Sequence, residues 1–302
     1  MIELAPLLDD LHGRLTKLSR NPSPENIRAL SENLSPEKLR SHAHAAAALA
    51  DKRDRELEYH DAVRGHIENI FRAALKNVLA HAAAQMVRKI RRQAPVKNRL
   101  FLNAAPQSAV ARLMFDLDEL TKRFEAQIES ALREAFDESG RAMMDEIDPA
   151  AEFVTPQGVA RKFVIERQNK LKNVPQEIYD EVKNELEQGS AEGETEPQLG
   201  ARVKKVMGDI EDGRALTIAR TETATAYNAG RMAALRQVGF THKQWLTAHD
   251  DRVRLTHNNA EADGAIPIDE PFSNGLMYPG DETGPASEVI NCRCVLQGAD
   301  AP

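Results

Sequence analysis

Apolar residues recur at steps of three and four between residues 57 and 90. The members of this stripe are Val63, Ile67, Ile70, Phe71, Ala74, Val78, Ala82, Met86 and Ile90. Such steps place side chains on one face of an α-helix. Because proline cannot continue a helix without losing a hydrogen bond, Pro95 marks its end. The pattern predicts one long amphipathic helix.

A second apolar stripe follows between residues 110 and 136. Its members are Val110, Leu113, Leu117, Leu120, Phe124, Ile128, Leu132 and Phe136. The spacing shifts from alternating threes and fours to fours, which is a stutter in a heptad seam. The two stripes predict a helical hairpin over residues 57–144 with its loop at roughly 96–108. An apolar face needs a cover, so we expect the hairpin to pack on another chain or on the rest of this one.

Shorter helices are predicted after residue 150, over 157–187, 197–210 and 213–238. Thr195 and Gln198 have the spacing of a capping box, which marks a helix start. Gly239 marks the end of the last helix. An acidic segment of small residues, 188–198, separates the first two of these helices.

Short β-prone pieces follow Gly239, at residues 243–246, 265–268 and 289–296. The predicted fold class is therefore mainly α, with long helical hairpins followed by a small, compact α+β C-terminal domain. The predicted divisions are a helical N-terminal region with an arm and the hairpin (1–150), a helical connector with an acidic linker (151–196) and the α+β domain (197–302).

The composition limits the classes of function. The 302 residues carry a formal net charge of −7, which argues against a protein whose whole surface binds nucleic acid. No apolar run approaches the roughly 18 residues that span a bilayer. The acidic first ten residues do not resemble a secretory signal. We expect a soluble, cytoplasmic chain with no membrane partner, whose two cysteines stay reduced.

The last third of the chain carries an ordered set of motifs. They are Arg220-Thr221-Glu222, Tyr227-Asn228, Gly239, Trp245, Thr247, Asp250, Arg252, Arg254, His257, Asp263-Gly264, Pro279-Gly280 and Asn291-Cys292-Arg293-Cys294. In order and spacing this set resembles the phage Mu protein F-like family. The resemblance runs from about residue 170 to residue 298, and residues 1–150 lie outside it.

The resemblance implies a minor head protein, or head morphogenesis protein, of a tailed bacteriophage or prophage. Such a protein is associated with the portal vertex and acts in head assembly, DNA packaging or ejection. The implied partners are the portal protein and other head proteins. The implied location is the host cytoplasm during assembly and then the virion head. The resemblance implies no enzymatic activity.

A metal site is one interpretation of the cysteine motif. His257, Cys292 and Cys294 are zinc-ligand types, with His249 or Asp250 as a fourth ligand. In the alternative, strand alternation turns both cysteines to one face as small buried residues, while His257 bonds to a loop. Because Cys-x-Cys is tighter than the usual zinc spacing, the residues narrowly favour the alternative. Zinc is the candidate cofactor, and no cofactor is assigned.

Arginines and carboxylates alternate in the same region. Arg252, Arg254 and Arg293 can pair with Asp250 and Glu222 to lock loops around a small sheet. A phosphate pocket is less favoured, because the carboxylates would repel phosphate. The residues predicted to have a structural role are Arg220, Thr221, Glu222, Trp245, Asp250, Arg252, Arg254, Asp263, Gly264, Asn291 and Arg293.

A basic run without acids lies at the end of the first long helix. Its members are Arg88, Lys89, Arg91, Arg92, Lys97 and Arg99. Cations at a helix C-terminus suit the helix dipole, which accounts for them without a ligand. The run is also the best candidate for contact with packaged DNA or with an acidic partner.

A metal-dependent nuclease or phage-borne toxin domain is the alternative function. A divalent metal held by Asp250, His257 and the cysteines would activate water against a phosphodiester. The chain lacks a second cluster of acidic ligands, so no catalytic residue is predicted. A cytoplasmic helical adaptor is a third interpretation.

Overall fold

The computed structural model describes residues 36–93 and 107–301. The helices are α1 (Pro36–Gln93), α2 (Gln107–Leu113), α3 (Leu117–Ile147), α4 (Gln157–Leu171), α5 (Val174–Ala191), α6 (Glu196–Ile210), α7 (Leu216–Val238), α8 (Leu255–Ala262) and α9 (Ala286–Val289), and the strands are β1 (His242–Leu246), β2 (Ile266–Pro267) and β3 (Val295–Ala299). A π-helical turn, Glu211–Ala215, joins α6 to α7. The chain divides into two compact units, Met1–Asp61 and Ala62–Pro302. The first holds the opening turns of α1, and the other elements belong to the second.

Helix α1 confirms the first apolar stripe. Its buried apolar residues are Ile67, Phe71, Ala74, Leu75, Val78, Leu79, Ala82, Met86 and Ile90. The helix ends at Gln93 as predicted, but it begins at Pro36, well before residue 57. The predicted loop at 96–108 lies outside the described residues except for its last two, which already belong to α2.

The second stripe is divided between two helices. The helical conformation stops after Leu113 and starts again at Leu117, where Asp116 accepts a hydrogen bond from Glu119 N at 3.0 Å. This cap satisfies a free N–H at the start of α3. Lys89 of α1 donates to the carbonyl oxygen of Met114 in the break, at 2.5 Å. The end of α1 thus holds the connection between α2 and α3.

Helix α3 packs closely against α7. At Gly230, a Cβ atom would lie 2.4 Å from the carbonyl oxygen of Phe136 and 2.7 Å from Ser139 Cβ. Arg231, fully buried in α7, donates to both carboxylate oxygens of Glu146 at 2.5 and 2.7 Å. The apolar face of α3 is therefore covered by this chain's own α7.

The middle of the chain contains one more helix boundary than predicted. The stretch 157–187 is two helices, α4 and α5, and α5 has a proline in its first turn. The predicted capping box is present, since Gln198 Oε1 accepts from Thr195 N at 2.8 Å. Most of the predicted acidic linker is not a linker, because α5 continues to Ala191 and α6 starts at Glu196.

The strands form one antiparallel sheet in the order β2-β1-β3. In the β1–β3 register Trp245 is opposite Leu296 and Leu246 is opposite Val295. Gly239 ends α7 with φ 81°, as predicted. The strand predicted at 289–296 is wrong over most of its length, because α9 ends at Val289 and β3 starts at Val295. The cysteine motif lies in the irregular segment between them.

The predicted fold class is confirmed: the structure is mainly helical, with a small three-stranded sheet near the C-terminus. The helices in the described part of the chain are all too short or too polar to cross a bilayer.

Candidate functional site

Both cysteines lie in the segment 290–296, which runs from the end of α9 into the first two residues of β3. The backbone leaves α9 through Asn291, whose φ of 56° lies in the left-handed region. Asparagine adopts this conformation more readily than most residues. The relative exposures of Cys292 and Cys294 are 4% and 3%. A turn, and not strand alternation, therefore directs both sulfurs inward.

Helix α7 holds this segment by its backbone groups. Thr221 Oγ1 accepts from Asn291 N at 3.2 Å. The side-chain amide of Asn228 donates to Cys294 O at 3.1 Å and accepts from Leu296 N at 2.8 Å. Asn228 therefore bonds to the outer edge of β3 as a neighbouring strand would.

Three arginines bond to carbonyl oxygens of the same segment. The pairs are Arg231 Nε to Leu296 O at 2.6 Å, Arg254 Nη2 to Ile290 O at 2.6 Å, and Arg64 Nη1 to Arg293 O. Together with Thr221 and Asn228, these arginines are here called the anchoring residues. They fix the positions of the cysteines from α1, α7 and the start of α8.

His257, in α8, faces both sulfurs. Its Nδ1 lies 3.3 Å from Cys294 Sγ and 3.8 Å from Cys292 Sγ. The three ligand atoms all lie within 4.8 Å of one another, and all three residues are buried. On the other side of the ring, Nε2 lies 3.0 Å from Glu288 Oε2, which accepts from the Thr256 hydroxyl at 2.9 Å. We call His257, Cys292 and Cys294 the cysteine–histidine cluster.

The two thiols of the cluster differ in acidity. A hydrogen bond from Cys294 holds the pKa of Cys292 well below its ordinary value, and His257 acts in the same direction. The same hydrogen bond, together with burial, raises the pKa of Cys294. Because two adjacent thiolates repel each other in a buried site, the metal-free cluster favours one thiolate beside one thiol.

Trp245 of β1 covers the cluster. Its ring packs edge-on against His257 at a centroid distance of 5.0 Å and against Phe272 at 5.2 Å. Its buried Nε1 lacks a hydrogen bond of standard geometry within the described residues, yet it is near enough to Cys294 to stabilise a thiolate there. The cluster is thus closed to solvent by an aromatic side chain with a free donor.

The two proposed fourth ligands lie outside the cluster. His249 has φ 51°, and its Nε2 lies 2.9 Å from Glu261 Oε1. Asp250 accepts two hydrogen bonds from Arg293, at 2.5 and 2.6 Å. That guanidinium holds the pKa of the Asp250 carboxyl well below its usual range. The structure therefore brings together three of the predicted ligands and directs His249 and Asp250 elsewhere.

The remaining charged motif residues form separate contacts. Glu222 is buried and pairs with Arg167 of α4, at 2.7 Å (Oε2 to Nε) and 2.5 Å (Oε1 to Nη2). Arg220 is half exposed, 3.8 Å from Glu68. Arg252 is exposed and lies 3.3 Å from Asp250. Each of these arginines thus lies beside a carboxylate.

Asp263 and Gly264 turn the chain from α8 towards β2. The Asp263 carboxylate accepts from Ser273 N at 2.7 Å. Gly264 has φ 69°, a conformation that glycine adopts without a steric cost. These two residues position a loop and do not contribute ligand atoms to the cluster.

The basic run is described in part. Arg88, Arg91 and Arg92 are exposed near the end of α1, and Lys89 is half-buried against the α2–α3 connection. Lys97 and Arg99 lie outside the described residues. Three arginines therefore remain as candidates for an external contact.

Several residues of the site were not predicted from the sequence. Arg64, Arg231 and Glu288 were not considered, and Asn228 was noted in a motif without a role. A signal existed for part of this set, since Thr221, Asn228 and Arg231 follow at steps of seven and three, the spacing of one helix face. Arg64 is far away in sequence and gives no comparable signal.

The fold and the site define a helical protein with a small antiparallel sheet, in which side chains of one helix hold a buried cysteine–histidine cluster. Residues 180–297 match the family described as Phage Mu protein F like protein, so the resemblance is confirmed over that part of the chain. The whole cluster and all the anchoring residues except Arg64 lie inside the matched span.

A relative is found in Haemophilus influenzae (strain ATCC 51907 / DSM 11121 / KW20 / Rd), where it is described as an uncharacterized protein. It is 31% identical to this chain over 125 residues. The match covers 41% of this chain and 26% of the relative, so the chain spans about a quarter of that protein's length. No solved structure matches the chain.

Proposed function

We propose that this chain is a minor head protein of a tailed bacteriophage or prophage and acts in head morphogenesis. The observation that carries the proposal is the match of residues 180–297 to the phage Mu F-like family. The anchoring residues support it, because most of them belong to that span and hold its cysteine segment in place. The protein would be made in the host cytoplasm and end in the virion head.

The partners in this proposal are the portal protein and other head proteins, with the chain acting at the portal vertex in assembly, packaging or ejection. Packaged DNA is a further partner, in contact with the exposed side chains of Arg88, Arg91 and Arg92. These arginines offer a local positive surface on a chain of net charge −7. Phosphate groups are attracted to such a surface.

The proposed role does not include catalysis. A nuclease centre would need Asp250 and His257 around one metal ion, open to a phosphodiester. Asp250 is instead paired with Arg293, and His257 is 1% exposed. The described geometry therefore gives the nuclease alternative no support.

The proposal is tested by co-expressing the full chain with the tagged portal protein encoded by the same phage or prophage. We expect the two to co-purify and to sediment together. The portal protein of an unrelated phage is the matched control and should not retain the chain. Mass spectrometry of purified virions should also detect the chain in few copies.

Two results would contradict the proposal. One is the absence of portal association under conditions in which heads assemble. The other is the absence of the chain from virions of a phage that expresses it. Cleavage of plasmid DNA that EDTA abolishes and His257→Ala removes would favour the nuclease instead.

A further inference from the structure

We propose that His257, Cys292 and Cys294 bind one zinc ion. Zinc–sulfur bonds of about 2.3 Å and zinc–nitrogen bonds of about 2.0–2.1 Å place neighbouring ligands of a tetrahedral site about 3.5–3.8 Å apart. The distances from His257 Nδ1 to the two sulfurs are 3.3 and 3.8 Å. An ion between the three atoms therefore needs only small side-chain shifts.

The orientation of the histidine supports a metal. Nδ1 faces the sulfurs, and Nε2 lies 3.0 Å from the carboxylate of Glu288. A metal-bound imidazole usually presents its second nitrogen to a carboxylate, which fixes the ring and raises its basicity. Glu288 is itself held by the Thr256 hydroxyl at 2.9 Å. Glu288 thus lies within ion-pair distance of Nε2, and a small rotation of either side chain would give this contact the standard geometry of a hydrogen bond.

The hydrogen-bonding capacity of the cluster is better satisfied with zinc than without it. Without a metal, one nitrogen atom of His257 faces two sulfurs in a buried site. With zinc, both sulfurs and Nδ1 are ligands, and the negative charge on the sulfurs is compensated. The buried indole N–H of Trp245 then has a thiolate to donate to. Three protein ligands leave the fourth position to a water molecule.

Two other uses of these cysteines fit the structure less well. A disulfide between Cys292 and Cys294 would close a very short, strained ring. A cysteine nucleophile needs an open approach for its substrate, whereas both sulfurs are buried under Trp245. A zinc ion needs no open approach for a substrate, because buried side chains can take up a metal as the chain folds.

The experiment measures zinc binding by the full chain, purified with a reducing agent, and does not depend on the proposed head function. We expect about one zinc per chain by mass spectrometry of the metal content. Cobalt in place of zinc should give the strong absorption of a tetrahedral thiolate site. Cys292→Ser and Cys294→Ser should each lose stoichiometric binding.

Glu288→Gln keeps all three ligands, so it tests the site in a variant that should fold. It should weaken zinc affinity by about 10- to 100-fold, as loss of an outer-shell carboxylate does elsewhere. His249→Gln is the matched control. The ring of His249 pairs with Glu261 and not with the cluster, so this substitution should leave zinc affinity unchanged. A wild-type chain that is folded by circular dichroism but takes up no stoichiometric zinc overturns the proposal. Unchanged affinity in Cys292→Ser overturns it too.

Discussion

Lys243, in β1, shows how one residue of the small sheet responds to its surroundings. The side chain is fully buried, donates to Met277 O at 2.8 Å and lies 5.2 Å from the ring centre of Phe272. Burial lowers the pKa of Lys243 from 10.5 to about 8, and the charge of Arg236 acts in the same direction. The folded protein therefore gives up the proton of this ammonium group more readily than the unfolded chain does.

This shift predicts a pH dependence of stability. Below pH 8 both states are protonated, and the folded state bears the full cost of the buried charge. Between pH 8 and 10.5 the unfolded chain binds more protons, so this group makes the free energy of unfolding rise with pH. Lys243→Met removes that rise. The difference between wild type and variant should change by at most about 3 kcal/mol across the window, measured by urea unfolding.

Lys204→Met is the control, because Lys204 is exposed on α6. The slope of the free energy of unfolding against pH should be the same in Lys204→Met as in the wild type. Other titrating groups are present in all three proteins, so they cancel from the comparison. An equal slope in wild type and Lys243→Met would mean that the ammonium group is well solvated in the folded state.

Helices α3 and α7 cross at close range. The crossing depends on a glycine, since a Cβ atom at Gly230 would lie 2.4 Å from Phe136 O and 3.0 Å from Gly140 N. These are backbone atoms, which cannot move aside as a flexible side chain does. The crossing also places Arg231 against Glu146 and beside β3. The spacing of two helices thus controls where an anchoring residue lies.

We therefore expect Gly230→Ala to destabilise the protein by about 1–3 kcal/mol, through overpacking at the crossing. Gly200→Ala is the matched control, because the space around a Cβ there is open and Gly200 lies within α6. It should stabilise the protein by up to about 1 kcal/mol, since alanine favours a helix. Thermal unfolding followed by circular dichroism measures both. A neutral Gly230→Ala would mean that the helices can separate at low cost.

The sequence predicted the elements whose signal is local and periodic. The stripe of α1, the capping box at Thr195 and the glycine end of α7 are all confirmed. The break between α4 and α5 had a signal that was overlooked, Pro175 in the first turn of α5. The predicted strand failed over residues 289–294, because tertiary bonds from the anchoring residues, and not strand pairing, hold that part of the segment.

The site was predicted in its chemistry but not in its geometry. The residue types of His257, Cys292 and Cys294 indicated a possible zinc set, and the structure brings them together. The fourth ligand could not be chosen from the sequence. The left-handed turn at His249 directs that ring to Glu261, and Asp250 meets a stronger partner in Arg293. Such choices depend on contacts that are distant along the chain.

At the scale of the whole molecule, charge is unevenly distributed. The chain has a net charge of −7, yet Arg88, Arg91 and Arg92 are exposed within two turns at the end of α1. Changing all three to glutamate should weaken binding to duplex DNA and reduce its salt dependence. If each arginine contacts one phosphate, the slope of log affinity against log salt should fall by about 2 to 3. Fluorescence anisotropy at several salt concentrations measures it.

An equal change of charge elsewhere separates a local contact from the effect of net charge. Arg161, Lys204 and Lys205 are exposed, and changing them to glutamate alters the net charge by the same amount. This control should leave most of the salt dependence in place. Equal effects of the two triple variants would contradict a DNA contact at the end of α1.

The bonds from α7 to β3 also affect how copies of the chain can associate. A strand at the edge of a sheet ordinarily leaves N–H and C=O groups to which a second copy can add a strand. At Leu296 both groups are already occupied, by Asn228 and Arg231 of the same chain. A second copy therefore finds no free backbone group at Leu296 to which it could add a strand. Copies of the chain that associate along this side would therefore do so through side chains and not through an added strand.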